Sequence, residues 1–318
     1  MFSKKMMLLI LGILLTLTMF SNASQYPNKP ITMIIPYSPG GGTDLNGRVL
    51  ATEAEKHIDQ PIVVKNRPGA TGTIASTEAA KAKPDGYTIL FTPTDPMCTV
   101  VHMVDVEYSI EDFRGVMGAS FDPSVIAVHT ESPYETIEDV IALKDSDKVV
   151  NRGHSGIGGI HHIMFEMFFP AAGITNYRDV PFEGGMNAIT ALRGGHVDIV
   201  GGTAGAMVPS IEAGELRLLA VAAAERSPFY PDVPTLKEKG FDDIDVAANF
   251  FLLAPKDTPD EVIEVLEEIF IKAAKSEAFT KFAENNNQQI YIRDAEAIYE
   301  KVKSDYQKFG EVISGFDK

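Results

Sequence analysis

The feature that most constrains this chain is its alternation of short β-rich apolar runs with helical stretches, with the loops that leave several strands rich in glycine. Residues 31–37 read as a strand, and the Gly-rich loop after them leads to a helical face of Leu45, Val49, Leu50, Ala54 and Ile58. Residues 61–65 form the next strand. After the turn Asn66-Arg67-Pro68-Gly69, a helix of small residues covers 74–82, and Pro84-Asp85-Gly86 turns the chain into a strand at 87–91. A second series places strands at 125–128, 148–151, 178–182, 197–200 and 216–222, with helices at 160–168, 186–192 and 206–213. Each βα unit calls for a parallel sheet covered on both faces, so the class expected is α/β.

The remainder is simpler. An apolar run at 246–254 precedes Thr258-Pro259-Asp260-Glu261, which reads as a capping box with proline at the first helical position. Val262, Val265, Leu266, Ile269, Phe270 and Ala273 form the buried stripe of that helix, and Ile298, Val302, Tyr306, Phe309 and Val312 that of the last one. Without a strand series of their own, these helices are expected to pack back on the first sheet. The chain then crosses twice between two lobes.

The first 23 residues read as an export signal: Lys4-Lys5, an apolar stretch over 6–20, and Ser21-Asn22-Ala23 as the cleavage site. The stretch is shorter than the ~20 residues a spanning helix needs, so export, cleavage near Ala23 and release into the periplasm are expected, with no membrane insertion afterwards. Removing it leaves 295 residues, enough for two domains at ~150 residues each. Lys4 and Lys5 are the only charges in the leader, so the rest carries 26 basic and 44 acidic side chains, a net of −18. Such a balance repels nucleic acid and anionic lipid. Cys98 is the single cysteine, which excludes internal disulfides and cysteine-based zinc sites.

In open α/β sheets ligands bind at the carboxyl ends of strands, so the loops after strands carry the chemistry. The first is Pro36-Tyr37-Ser38-Pro39-Gly40-Gly41-Gly42-Thr43-Asp44, between a strand and a helix. Its glycines let backbone N–H groups approach a ligand and the helix N-terminus adds positive partial charge, together an anion site. The bland alternative is a tight turn with Asp44 as cap or as partner of Arg48. The second is Arg152-Gly153-His154-Ser155-Gly156-Ile157-Gly158-Gly159; Pro181-Phe182-Glu183-Gly184-Gly185 and Gly201-Gly202-Thr203-Ala204-Gly205 follow. None matches a nucleotide motif, so no cofactor is expected. Gly153-His154-Ser155-Gly156-Ile157 misses the nucleophile elbow at Ile157, and His154, His161 and His162 lack both an HExxH pattern and an obvious carboxylate ligand, so neither catalysis nor a metal is expected.

Ordered segments of this chain resemble the extracytoplasmic solute receptors of tripartite tricarboxylate transporters, the Bug-type binding proteins. They are Tyr26-Pro27-x-Lys29-Pro30-Ile31, the loop Pro36 to Asp44, Asn66-Arg67-Pro68-Gly69-Ala70 and Lys83-Pro84-Asp85-Gly86-Tyr87-Thr88. Val180-Pro181-Phe182-x-Gly184-Gly185, Gly194-Gly195-His196-Val197-Asp198, Arg226-Ser227-Pro228, Pro231-Asp232-Val233-Pro234-Thr235-Leu236 and Leu253-Ala254-Pro255 continue the match. The resemblance implies a two-lobed periplasmic binding protein fold of type II-like form, two doubly wound sheets joined by a hinge. Lobe 1 is expected at 24–121 plus 226–318 and lobe 2 at 122–225. It also implies a small carboxylate ligand, a di- or tricarboxylate or related organic acid, delivered to the membrane permease subunits of such a transporter. The other roles open to such a chain are ligand-sensing partner of a membrane sensor kinase and exported enzyme.

Carried onto this sequence, the family's ligand contacts are Tyr37, Ser38, Pro39, Gly40, Gly41, Gly42, Thr43 and Asp44 from one lobe, and His154, Ser155, Gly156, Ile157, Gly158 and His162 from the other. Thr94, Asp95, Gly184 and Thr203 join them. Two positions depart from the family pattern: Gly159 stands where serine is common, and Asp95 lies in a loop of small neutral residues. Arg152 or His154, if turned inward, gives a second ligand carboxylate a charged partner. Asp95 is expected to face outward and cap the turn at Pro96, so a dicarboxylate is expected first and an amino acid second.

Overall fold

The computed structural model describes residues 26–316, so the export signal read at 1–23 lies outside the described residues. Strand β1 (Ile31–Ile35) sits between two parallel neighbours, β2 (Ile62–Asn66) and β3 (Thr88–Thr92). A strand covered on both faces needs apolar side chains at successive positions, which Met33, Ile34 and Ile35 supply. Met33 and Ile35 share a core with Leu50, Ala51 and Ala54 of helix α1 (Gly42–Ala54), whereas Ile34 packs on the other face with Ala75 and Ala79 of α2 (Thr73–Ala80). The strand ends before Pro36, which has no N–H to continue the ladder, rather than running to Tyr37. A short helix, α3 (Asp95–Cys98), follows β3.

The long strand β4 (Phe113–His129) organises the rest. Its first half pairs with β9 (Ala247–Pro255), from Phe113 opposite Pro255 to Pro123 opposite Ala247, and with β10 (Gln289–Arg293). Its second half pairs with β7 (Ile199–Thr203) and β8 (Leu216–Ala222), beginning at Ser124. One strand therefore serves two sheets and changes partners between Pro123 and Ser124. In the second sheet, β5 (Val150–His154) lies parallel to both β6 (Tyr177–Pro181) and β7. Helices α5 (Ile160–Ala171), α6 (Gly185–Arg193) and α7 (Ala204–Glu212) accompany these strands.

The parallel sheets expected from the βα pattern hold for β1 to β3 and for β5 to β7. Strands β4, β8, β9 and β10 pair antiparallel instead. A strand that enters one sheet from the other, or returns from it, runs against its new neighbours, and sequence periodicity carries no information about that direction.

The C-terminal part differs from the expectation in two ways. Thr258 does not cap α8 (Asp260–Ala274): Pro259 occupies the N-cap, and the Thr258 hydroxyl donates to the Pro255 carbonyl at 2.7 Å. A capping box does form at α4 (Ile137–Ile141), between Thr136 and Asp139. Between α8 and α10 (Ala295–Ser314) lie a further helix, α9 (Glu277–Asn285), and β10, whose half-exposed edge position gives a weak apolar signal. Helix α8 packs on α1 and α10 on β4. Among the described residues no helix is long and apolar enough to cross a membrane.

Candidate functional site

Four helices begin at one cavity of about 200 Å³ lined from both sheets. Helix α1 brings Gly41, Gly42 and Thr43, α5 brings Ile160 and His161, α6 brings Gly185, Met186 and Asn187 behind Gly184, and α7 brings Ala206 behind Thr203. None of their N-cap residues, Gly41, Gly159, Gly184 and Thr203, supplies a side-chain cap. The first N–H groups of a helix have no partner within it, and its N-terminus carries positive partial charge, so the four ends make the cavity attractive to an anion.

The protein itself answers two of these ends. At α7 the Oδ2 of buried Asp122 accepts the Gly205 N–H at 3.1 Å. At α5 the Ile160 N–H approaches the Asp95 carboxylate without completing a hydrogen bond to it, and lowers its pKa. Helices α1 and α6 remain, and both start on glycines: a Cβ built on Gly42, Gly184 or Gly185 would meet nothing within 4 Å. Gly42 and Gly185 have no left-handed φ either. At Gly42 and Gly185 neither backbone strain nor packing requires glycine, whereas Gly184 has φ +93°; what Gly42 and Gly185 preserve is open space against the N–H groups.

Of the residues expected from sequence, Tyr37, Ser38, Pro39, Gly41, Gly42, Thr43, Asp95, Ser155, Gly184 and Thr203 line this cavity, and Gly156 lines an adjoining pocket. The others stand behind it. Gly40, with φ +82°, and Asp44 brace the loop from its rear: the Asp44 carboxylate accepts from the Gly40 N–H at 2.8 Å, Arg48 Nε at 2.9 Å and Asn66 Nδ2 at 2.7 Å. Burial pulls the Asp44 pKa up, but these donors outweigh it and hold it below the usual carboxylate value. The bland reading, Asp44 as partner of Arg48, is the one the geometry realises. Thr94 is buried and accepts from the Asn249 N–H at 2.9 Å, which ties α3 to β9. Ile157 and Gly158 reach across to the first sheet's loops: Thr71 Oγ1 donates to the Ile157 carbonyl at 3.1 Å, and Thr99 Oγ1 to that of Gly158 at 2.5 Å.

His154 and His162 belong to a different cluster. Strand β5 runs through His154, three residues beyond its expected end, because Gly153 and His154 pair with Val180 and Pro181 of β6. Arg152 and His154, two apart on that strand, share a face and point into a buried knot. Arg152 Nε donates to Asp179 Oδ1 at 2.7 Å and Nη2 to Asp179 Oδ2 at 2.9 Å; Nη2 also bonds Glu166, and the guanidinium lies 3.7 Å from the Tyr177 ring centroid. His154 Nε2 lies 3.4 Å from Asp179, and His162 Nε2 3.9 Å from Glu166. Although burial raises the Asp179 pKa, hydrogen bonds from His154 and Arg152 hold it well below normal. His154, His162 and Asp179 place one ligand atom each within 4.8 Å of one another. The guanidinium already occupies both Asp179 oxygens, so a metal ion there faces a competing cation. Neither Arg152 nor His154 is turned toward the cavity.

Asp95 differs from expectation in the opposite sense. It does not cap an outward turn: it is 4% exposed, lines the cavity, accepts the Tyr37 hydroxyl on Oδ2 at 2.9 Å, and leaves Oδ1 without a partner. The turn at Pro96 is internal, since α3 is buried throughout. Burial pushes the Asp95 pKa up to about 6.

Sequence reading singled out His162, yet His161 is the histidine that lines the cavity; which of two consecutive helical residues faces a cleft is a matter of helix phase, fixed only by packing. Its Nδ1 lies 3.0 Å from Ser155 Oγ. This pair has nucleophile–base spacing, but burial lowers the His161 pKa to about 3, which makes it a poor base, and its Nε2 has no orienting carboxylate. Ala248 and Phe250 of β9 also line the cavity; alternation marks them as one face without saying which face is inside.

Fold and cavity define a solute receptor of the two-lobed periplasmic binding class, with a candidate ligand cavity lined from both sheets. The family model described as "Tripartite tricarboxylate transporter family receptor" matches residues 47–317, and the chain belongs to that family. It is 31% identical to Protein BugT of Bordetella pertussis over 261 residues, 81% of this chain and 80% of that one. Among solved structures, MatC from Rhodopseudomonas palustris with bound malate aligns with a TM-score of 0.85 at 26% identity, covering 91% of this chain and all of that one. A second R. palustris structure, with adipate, gives the same TM-score and identity over 91% and 97%.

Proposed function

We propose that this receptor binds a small carboxylate between the open N-termini of α1 and α6 and delivers it to the permease subunits of a tripartite tricarboxylate transporter. The observation that carries the reading is the open space at Gly42, Gly184 and Gly185 beside two helix N-termini that have no side-chain cap among the described residues. The malate and adipate held by the two R. palustris structures support the same ligand class. With a net charge of −18 outside the leader, long-range attraction is absent, so affinity comes from these fixed donors, strengthened as the lobes close over the ligand.

Lobe 1 is 24–121 plus 226–318 and lobe 2 is 122–225, a division supported by the change of partners in β4 between Pro123 and Ser124 and by the return of the chain into β9. Ligand contacts from both lobes favour the closed form, which the permease reads. The mature protein starts near Ser24 in the periplasm, and its role is binding without turnover, given the weak base at His161.

Calorimetry and thermal melting against mono-, di- and tricarboxylates test this. A ligand specific to the folded form stabilises by about 2.7 kcal/mol at ~100 times Kd, a visible rise in Tm. Shifts produced by sugars or cations while every carboxylate is silent would refute it.

A further inference from the structure

Resting on the carboxylate reading above, we infer that the ligand also carries a protonated amine, its carboxylate at the N-termini of α1 and α6 and its ammonium on Asp95. Asp95 is a buried, cavity-lining carboxylate whose Oδ1 has no hydrogen-bond partner among the described residues. A buried acceptor left unsatisfied is costly, so the site is complete only when a donor enters with the ligand. Tyr37 has its hydroxyl on Oδ2 and so fixes the carboxylate in one orientation, with Oδ1 left for that donor.

The choice between an amine and a second carboxylate follows from what else lines the cavity. Among the described residues no lysine or arginine does so, whereas the exposed Glu183 lines it as a second acid. Arg152, the cation that opens the second loop, is consumed by Asp179 and Glu166. A dicarboxylate would therefore set its second charge against acids with no cation to balance it; an ammonium meets a ready counter-charge. The α5 N-terminus strengthens the assignment, because its Ile160 N–H supports Asp95 in its ionised form rather than waiting for a ligand anion.

Of the titratable groups around the cavity Asp95 is the one that changes charge most between pH 7.5 and 5.5, since Asp122 at α7, pushed up to about 8 by burial, is mostly protonated across that range. Tyr37 stays neutral because burial and Asp95 hold its pKa well above normal, and Cys98 and Tyr108 behind it are likewise raised by burial. His161 is neutral above pH ~3 for the same reason, and Glu183 approaches from the loop before α6.

The test is calorimetry of the mature protein with matched probes: butyrate, 2-aminobutyrate and propylamine, and succinate against aspartate. The aminated acid of each pair should bind at least tenfold tighter than its parent acid, and Asp95→Asn should erase that advantage. Affinity for 2-aminobutyrate should also fall between pH 7.5 and pH 5.5 as Asp95 takes up its proton; this arm on the unaltered protein decides the matter if Asp95→Asn does not fold. Parent acids binding as tightly as their aminated partners, or tighter binding at pH 5.5, overturn the amine and leave the carboxylate reading standing. Propylamine matching 2-aminobutyrate overturns the carboxylate reading, and binding by no probe overturns both.

Discussion

Gly41→Asp separates binding from folding, because the structure predicts opposite signs for the two. Gly41 is the N-cap of α1 with φ −78° and ψ 166°, extended backbone that any residue adopts, and a Cβ there meets only the Ser38 carbonyl at 3.5 Å. Aspartate at an N-cap accepts a first-turn N–H and complements the helix dipole, a gain of about 0.5–1 kcal/mol in the empty protein. The same carboxylate occupies the donors meant for the ligand. At a separation of ~4–5 Å and an effective dielectric of ~20, its repulsion of a bound carboxylate is about 3–4 kcal/mol. Affinity should fall by a factor of ~100 to 1,000, while the ligand-free Tm holds or rises. Gly41→Asn supplies the same cap without the charge and should cost far less affinity, so the pair isolates the electrostatic part. Calorimetry gives the affinities and scanning calorimetry the melting temperatures. Unchanged affinity in Gly41→Asp would remove the anion from α1, and a drop in Tm of several degrees would show that glycine serves the fold rather than the ligand.

Arg152→Met should destabilise by about 3 kcal/mol at pH 7, near the low end for breaking a buried pair because Asp179 and Glu166 keep about a quarter of their side chains exposed. Asp179 has a depressed pKa, so its contribution is present above the carboxylate range and lost as pH falls; the deficit measured by denaturant titration should shrink toward pH 3, and a constant deficit would assign the loss to packing alone. Asp122 is the reverse case, buried and pushed up to about 8, so its contribution is full below pH ~4 and disappears as pH rises through 8. Asp122→Asn should therefore gain stability on the unaltered protein as pH climbs from 5 to 9, by at least about 1 kcal/mol, the scale of an unsatisfied buried polar atom; an equal loss at every pH would mean that the carboxylate itself is needed at α7.

The sequence by itself determined the alternating α/β class, the Gly-rich loops at strand ends and the ordered turns of this receptor family, because each depends on neighbours in the chain. Hydrophobic periodicity is local, proline ends a strand wherever it stands, and paired glycines before a helix are visible as written. Tertiary structure alone decided what those loops face. That β4 serves two sheets depends on partners more than 70 residues away, Thr203 and Ala222 on one side and Ala247 on the other. That Arg152 is spent on Asp179 and Glu166 follows from the parallel pairing of β5 with β6 and the packing of α5, so the cation that favoured a dicarboxylate in the sequence lies outside the cavity. Asp95 turns inward because the whole of α3 is buried, and it leaves an oxygen free because Tyr37 reaches only the other one. A residue type states which interactions are possible; the distance to a partner remote in the chain settles which of them are already satisfied and which are left for a ligand.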